Sequence, residues 1–363
     1  MQFRTNAQRA ALIVAAVVIA LGVLMWNGFY LRIGVWDDVH RSGKMRVECN
    51  SVFRDVVSER TAFGLCLCSV TVVSVDRCSD GAHLMQVLGE VGSLTEFTVA
   101  NSSLTDESLK GLARSAREIT ILNLPGNQIS DVGVIPLLRH GDSIRFLNLD
   151  STAVSDAVGP EIMSLPRLEH LSIRGTTIGG SAFNTGKWVG APYHMDMSNS
   201  GIEKSPMTAF PNNTIELKLD GNGSIGGTLE SVGKLHNLQL LSIGGNDCTT
   251  DNGVWARNLK RLGVVVLSGS AVSDKLLHEI CSLGSVFYLD ISGAQISDGG
   301  WDAVCNCESL LSIVCRGTDM RRVALSQLAW KSRVRRVDLT NALISEEQVE
   351  ALRLACGDGV VVR

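Results

Sequence analysis

Apolar residues along this chain fall into a short pattern that keeps returning. Its clearest copy spans residues 286–298. Val286, Leu289 and Ile291 give an alternating apolar stretch, Ala294 and Ile296 follow at a turn, and Ser297-Asp298 offers a helix start. The alternation predicts a half-buried strand. The Ser-Asp pair predicts an N-cap, because both side chains can accept from the free N–H groups of a first helical turn. A short amphipathic run completes the copy.

The second apolar residue of each strand core can be followed along the chain. It is Val75, Val99, Leu124, Leu149, Ile173, Met197, Leu219, Ile243, Leu267, Ile291, Cys315 and Leu339, with steps of 22 to 25 residues. Each copy is one strand and one short helix, too small to bury its own apolar face. The copies must therefore stack, strands beside strands and helices beside helices. Residues 180–192, and the stretch holding Pro206 and Pro211, carry weak helix signals, so loops are expected there.

The best copies read ITILNLPGNQI (119–129), IRFLNLDSTAV (144–154), LEHLSIRGTTI (168–178) and VFYLDISGAQI (286–296). Over roughly four-fifths of its length the chain resembles the leucine-rich repeat family. The recurrent Ser/Thr-Asp after the turn is similar to the bacterial and cysteine-containing branches. The resemblance implies an α/β solenoid of about twelve repeats, with a parallel sheet on its concave side and short helices on its convex side. It also implies an Asn at the ninth position whose amide bonds the backbone of the next unit. Asn127, Asn222 and Asn246 keep that residue. Thr152, Thr176, Thr318, Ser200 and Ser270 replace part of its bonding, Cys78 is the family's own variant, and Ala294 and Ala342 cannot replace it.

Outside the repeats, residues 1–9 carry Arg4 and Arg9, and residues 10–31 run without a charge. As a helix that run is about 33 Å long, enough for a bilayer core of roughly 30 Å. Trp26, Phe29 and Tyr30 stand where an interfacial belt would lie. The expectation is a single-pass anchor with the repeats (69–363) outside the cytoplasm; the alternative is a signal segment that is cleaved. Residues 32–68 are out of frame and suit a cap over the first repeat. Within them, 47–60 has helix-like spacing and 63–68 reads as a strand. Cys49 pairing with Cys66 or Cys68 is one reading of the cysteine cluster that also holds Cys78; four buried thiols is the other. Cys281, Cys305, Cys307, Cys315 and Cys356 read as small buried hydrophobes.

Net charge is −4 in 363 residues, and aromatics make up 5%. The balance argues against a dedicated nucleic-acid binder, and the few rings against a stacking platform for sugars. Residues 221–226 match a Gly-rich dinucleotide loop, but Gly221 stands at a position that Gly126, Gly175, Gly245, Gly269, Gly293 and Gly317 hold in other copies. The repeat explains it without a cofactor. No catalytic or metal-binding constellation has specific spacing, so neither an enzyme nor a cofactor is expected.

Side chains between core positions point outward, since they alternate along a strand. Aligning the copies puts His170, Arg174, His194, Asp196, Lys218 and Asp220 together as a polar patch. Leu240, Val264, Val266 and Tyr288 form an apolar one beside Val314. The polar patch suits a charged protein partner or a response to pH; the apolar patch suits a contact surface, or self-association into a homo-oligomer or envelope assembly. The basic C-terminal end (Arg321, Arg322, Lys331, Arg333, Arg335, Arg336, Arg363) suits protection of an open sheet edge.

Overall fold

The computed structural model describes residues 44–50, 69–77, 94–112, 116–184, 186–323, 333–356 and 361–362. The chain divides into two compact units, residues 1–144 and 145–363.

In the first unit, β1 (Lys44–Asn50) pairs antiparallel with β2 (Ser69–Asp76), and β3 (Glu96–Ala100) and β4 (Ile121–Asn123) continue in parallel. Helices α1 (Asp106–Leu109) and α2 (Asp131–Leu138) follow the last two strands. The helix-like spacing of 47–60 is overruled where the chain is described, because β1 runs through Asn50. Lys44, Arg46 and Glu48 alternate with Met45, Val47 and Cys49, and that period of two wins. The reading of 63–68 as a strand, the disulfide and the membrane helix all concern residues or side chains outside the described ones. Among the described residues no helix is long and apolar enough to cross a membrane.

The second unit repeats the frame without reversal. The strands of its main sheet are β5 (Phe146–Asn148), β6 (His170–Ser172), β7 (His194–Asp196), β8 (Glu216–Lys218), β9 (Leu240–Ser242), β10 (Val264–Val266), β11 (Tyr288–Asp290), β12 (Ser312–Val314) and β13 (Arg336–Asp338), and the short strands Gly223–Ser224, Asn246–Cys248 and Ala271–Val272 pair in a second, small sheet. All pair in parallel with their chain neighbours. A further strand, β14 (Val361–Val362), pairs with β13, so β13 is not the open edge expected of it. Val361 and Val362 supply the extra strand. Among the described residues five helices lie behind: α3 (Gly159–Ser164), α4 (Gly226–Val232), α5 (Asp274–Cys281), α6 (Asp298–Cys305) and α7 (Glu346–Cys356). The copies at 180–183 and 254–258 have 3-10 turns instead, and 200–215 has neither helix nor strand. In 200–215, Gly201, Pro206 and Pro211 leave too few helix-forming residues.

The core lies between strands and helices. Leu122, Leu147, Leu171, Leu217, Leu241, Val265 and Leu289 are shut from solvent, with the following Leu124, Leu149, Ile173, Leu219, Ile243, Leu267 and Ile291. Two residues beyond each of the twelve, the backbone turns left-handed. Arg77, Asn101, Gly126, Ser151, Gly175, Asn199, Gly221, Gly245, Gly269, Gly293, Gly317 and Asn341 all have φ between 47° and 68°. Gly221 is one of this series, and its Gly-rich surroundings are a repeat feature.

Polar bonds tie each copy to its neighbour. Asn127 Nδ2 donates to the carbonyls of Val99 (2.6 Å) and Leu124 (3.0 Å), and its Oδ1 accepts from the N–H of Ser102 at 3.0 Å. Asn222 and Asn246 repeat the arrangement. The direction differs from the expectation: the amide reaches the preceding copy, because the side chain leaves the turn toward the strand already laid down. Thr152, Thr176 and Thr318 bond only carbonyls of their own copy, at 2.6–2.7 Å.

The Ser-Asp starts divide their work. Ser130, Ser273 and Ser297 accept from helix N–H groups, as expected of caps. The aspartates turn to the next copy: Asp106 accepts from Ser130 N (2.7 Å) and Oγ (2.6 Å), Asp156 from Gly179 N and Ser181 Oγ, and Asp274 from Ser297 Oγ. The thiols of Cys248, Cys281, Cys305, Cys307 and Cys315 are free and buried, and Cys356 is half-buried. Burial holds the Cys315 thiol far above its ordinary value. Cys307 is held below it, because Cys281 and Ser309 hydrogen-bond its sulfur.

Candidate functional site

Parallel pairing in strict register turns equivalent positions into rows across the sheet. Phe146, His170, His194, Glu216, Leu240, Val264, Tyr288, Ser312 and Arg336 stand side by side. Asn148, Ser172, Asp196, Lys218, Ser242, Val266, Asp290, Val314 and Asp338 form the second row. Each strand thus puts its middle residue into the core and its two flanking residues on the open face.

His170 and His194 come from adjacent strands about 4.8 Å apart. Their rings stack with centroids at 4.5 Å and planes 3° apart. Tyr193 sets its ring edgewise to both, at 5.2 and 4.8 Å, and Phe146 closes the row at 5.8 Å from His170. His194 Nδ1 lies 2.9 Å from Glu216 Oε2, and Lys218 Nζ donates to Glu216 Oε1 at 2.8 Å. Glu169 accepts from Arg145 Nε at 2.8 Å and from the Tyr193 hydroxyl at 2.9 Å. Together Phe146, Asn148, His170, Ser172, His194, Asp196, Glu216 and Lys218 line a cavity of about 420 Å3 on the sheet face.

Charge in this cavity follows from its contacts. Burial, then the neighbouring His194, push the His170 imidazole below its ordinary value. Burial works to raise the Glu216 carboxyl, but hydrogen bonds from Lys218 and His194 outweigh it and leave it lowered. The same bond raises the Lys218 ammonium. Tyr193 is raised because its hydroxyl donates to Glu169, and Glu169 is lowered by Arg145.

Four of the six residues of the polar patch meet in the cavity: His170, His194, Asp196 and Lys218. Arg174 is exposed, and its backbone N–H donates to Asp150 at 2.8 Å. Asp220 is occupied by Ser242 Oγ and Gly244 N, both at 2.6 Å, one strand further on. Burial raises Asp150, which accepts from Ser172 Oγ at 2.6 Å. The apolar residues keep their expected places: Leu240, Val264 and Tyr288 share a row and Val266 flanks them, all half-buried. Val314 is buried, at 5% exposure, and adds little to that strip.

Phe146, Tyr193, Glu169 and Glu216 were not singled out from the sequence as site residues. Glu216 sits in the outward row and was legible there as the acid between His194 and Lys218. Tyr193 and Glu169 precede their strands, where the repeat assigns no direction. Beyond the apolar strip, Arg316 and Arg336 both donate to Asp338, at 2.7–3.1 Å. That carboxylate is 1% exposed and held far below its ordinary value, first by Arg316. Among the described residues no three His, Cys, Asp or Glu side chains are grouped to hold a metal ion.

No family model matches the chain, and no curated protein does. Solved structures do. An internalin of Listeria monocytogenes superposes with a TM-score of 0.58 at 18% identity, covering 80% of this chain and 79% of its own. A leucine-rich repeat protein of Leptospira interrogans gives 0.53 at 17% identity, covering 77% and 74%. The chain therefore has the leucine-rich repeat fold, as its repeats imply.

Proposed function

We propose that this chain is a non-catalytic binding protein that holds another protein against the open face of its sheet, with residues 10–31 anchoring it in a membrane and the repeats outside the cytoplasm. The observation that carries the binding reading is the continuity of that face from β5 to β11. A polar cavity with fixed rings and charges passes directly into a half-buried apolar strip. Apolar anchors beside a polar region are what protein interfaces use. The anchor rests on the uncharged length of 10–31.

Cross-linking of the full chain in membranes tests the binding reading. A photo-reactive residue at Ser312, beside the strip, is expected to capture a distinct protein. Capture is expected to fail when Val264→Glu puts a charge in the strip. Products containing only this chain favour instead a self-assembling structural element, for which the apolar strip is the supporting observation. Products unchanged by Val264→Glu would remove the face from the account.

A further inference from the structure

The cavity on β5 to β8 offers mostly acceptors. Both oxygens of Glu216 are engaged, by His194 Nδ1 and by Lys218 Nζ. A carboxylate only accepts, so Nδ1 of His194 carries the hydrogen and Nε2 of the neutral ring is an acceptor. Asp196 uses Oδ1 for the N–H of Ser198 at 3.0 Å, and no donor among the described residues bonds its Oδ2. The one ammonium, Lys218, is spent on Glu216. Counting the surrounding face, four carboxylates (Asp150, Asp196, Glu216, Asp220) stand against two cations (Arg174, Lys218). The patch is negative while its imidazoles are neutral.

We propose that this cavity receives a lysine or arginine side chain from an extended segment of the partner protein, and that protonation of the stacked histidines expels it. The proposal rests on the binding reading above and adds the chemistry of the partner. The titratable groups facing the stack come from every neighbouring strand: Arg145 before β5, Glu169 before β6, Tyr193 before β7, Asp196 on β7, and Glu216 and Lys218 on β8. Glu169 is occupied by Arg145 and Tyr193. Glu216 is the carboxylate that hydrogen-bonds the stack, and it serves His194 alone. A second proton must go on a ring 4.5 Å from the first. With both rings charged, the excess of carboxylates is cancelled and His194 Nε2 becomes a donor. A bound cation then loses an acceptor and meets repulsion, so its binding is linked to proton release. Each proton so linked weakens binding by up to about tenfold per pH unit once the pair begins to titrate.

The test uses the full chain and two labelled peptides of equal length, one alternating Ser with Arg and one alternating Ser with Glu, read by fluorescence anisotropy at fixed ionic strength. The Arg peptide is expected to bind more tightly at neutral pH, to weaken by up to about tenfold per pH unit on acidification, and to weaken at neutral pH in Asp196→Asn. In His170→Asn/His194→Asn the ratio of neutral to acid affinity is expected to fall toward one, whatever the neutral affinity. Preference for the Glu peptide, indifference to Asp196→Asn, or an unchanged ratio in the double variant each overturns the proposal. So does failure of both peptides to bind, and the wider reading of the face then stands or falls separately on the Val264→Glu cross-link.

Discussion

Asn246 gives the sharpest test of how the copies are held together. It is 3% exposed. Its Nδ2 donates to the carbonyls of Leu219 (3.0 Å) and Ile243 (2.8 Å), and its Oδ1 accepts from Asn222 N at 2.7 Å. The two carbonyls have second partners, Asn222 Nδ2 for Leu219 and Ser270 Oγ for Ile243, at 2.9 and 2.8 Å. The Asn222 N–H has none. Asn246→Ala therefore weakens two shared acceptors, at roughly 0.5–1 kcal/mol each, and orphans one buried donor, at roughly 1–3 kcal/mol. The expected loss is about 3 kcal/mol. Ser at this position can copy Ser270, whose Oγ both accepts from the backbone and reaches the preceding copy's carbonyl. Thr in the manner of Thr176 bonds only its own copy. The expected order of cost is Ala, then Thr, then Ser, with Ser near 1 kcal/mol. Repeat arrays unfold in parts, so the readout is hydrogen exchange at the Asn222 amide, about a hundredfold faster in Asn246→Ala. If Ala costs no more than Ser, or the Asn222 amide keeps its protection, the inter-copy ladder does not stabilise the stack.

Three further outcomes are expected. Asp338→Asn removes the buried acceptor of two half-exposed guanidiniums and is expected to cost about 2 kcal/mol at neutral pH in denaturant melts; because the folded carboxyl is depressed, its contribution is full above the ordinary carboxylate value and is lost as pH falls below it, so the gap between variant and wild type narrows in acid. Ser151→Gly, at a position with φ of 54°, is expected to stabilise by about 0.5–1 kcal/mol by calorimetry, since the left-handed cost exceeds the glycine's entropy. NMR titration is expected to find His170 below the ordinary imidazole value, and rising when His194→Asn removes the neighbouring charge; the unfolded chain takes up this proton first, so the depressed group costs stability as pH falls through that window.

How far the fold was legible follows from which positions repeat. Val75 to Leu339 locate every core strand because each must fill the same slot. The rows of the open face follow from the same count, since parallel pairing without slippage makes sequence period into spatial neighbourhood. The sequence is silent where bonds run between copies. Whether Asn127 reaches forward or back, and whether Asp106 caps its own helix or the next copy's serine, depends on side-chain direction, which the period leaves open. The strand at 44–50 was missed because its few residues fit two periods at once, and β14 because three valines carry no frame.

The same division explains the candidate site. Stacking needs only the inward residues, so selection for the fold leaves the outward rows chemically free. The frame still dictates spacing: residues one copy apart are one strand apart, close enough for imidazoles to stack and for one glutamate to hold a histidine and a lysine. Histidines at His170 and His194 therefore interact because they occupy equivalent positions, with no special loop to bring them together. Residues that break the equivalence then tune the pair. Tyr193, lying before its strand, edges both rings and draws Glu169 away from them. That leaves a two-histidine stack with one carboxylate, Glu216, hydrogen-bonded to it, an arrangement whose charge changes with pH while the aliphatic side chains and amide bonds beneath it do not titrate.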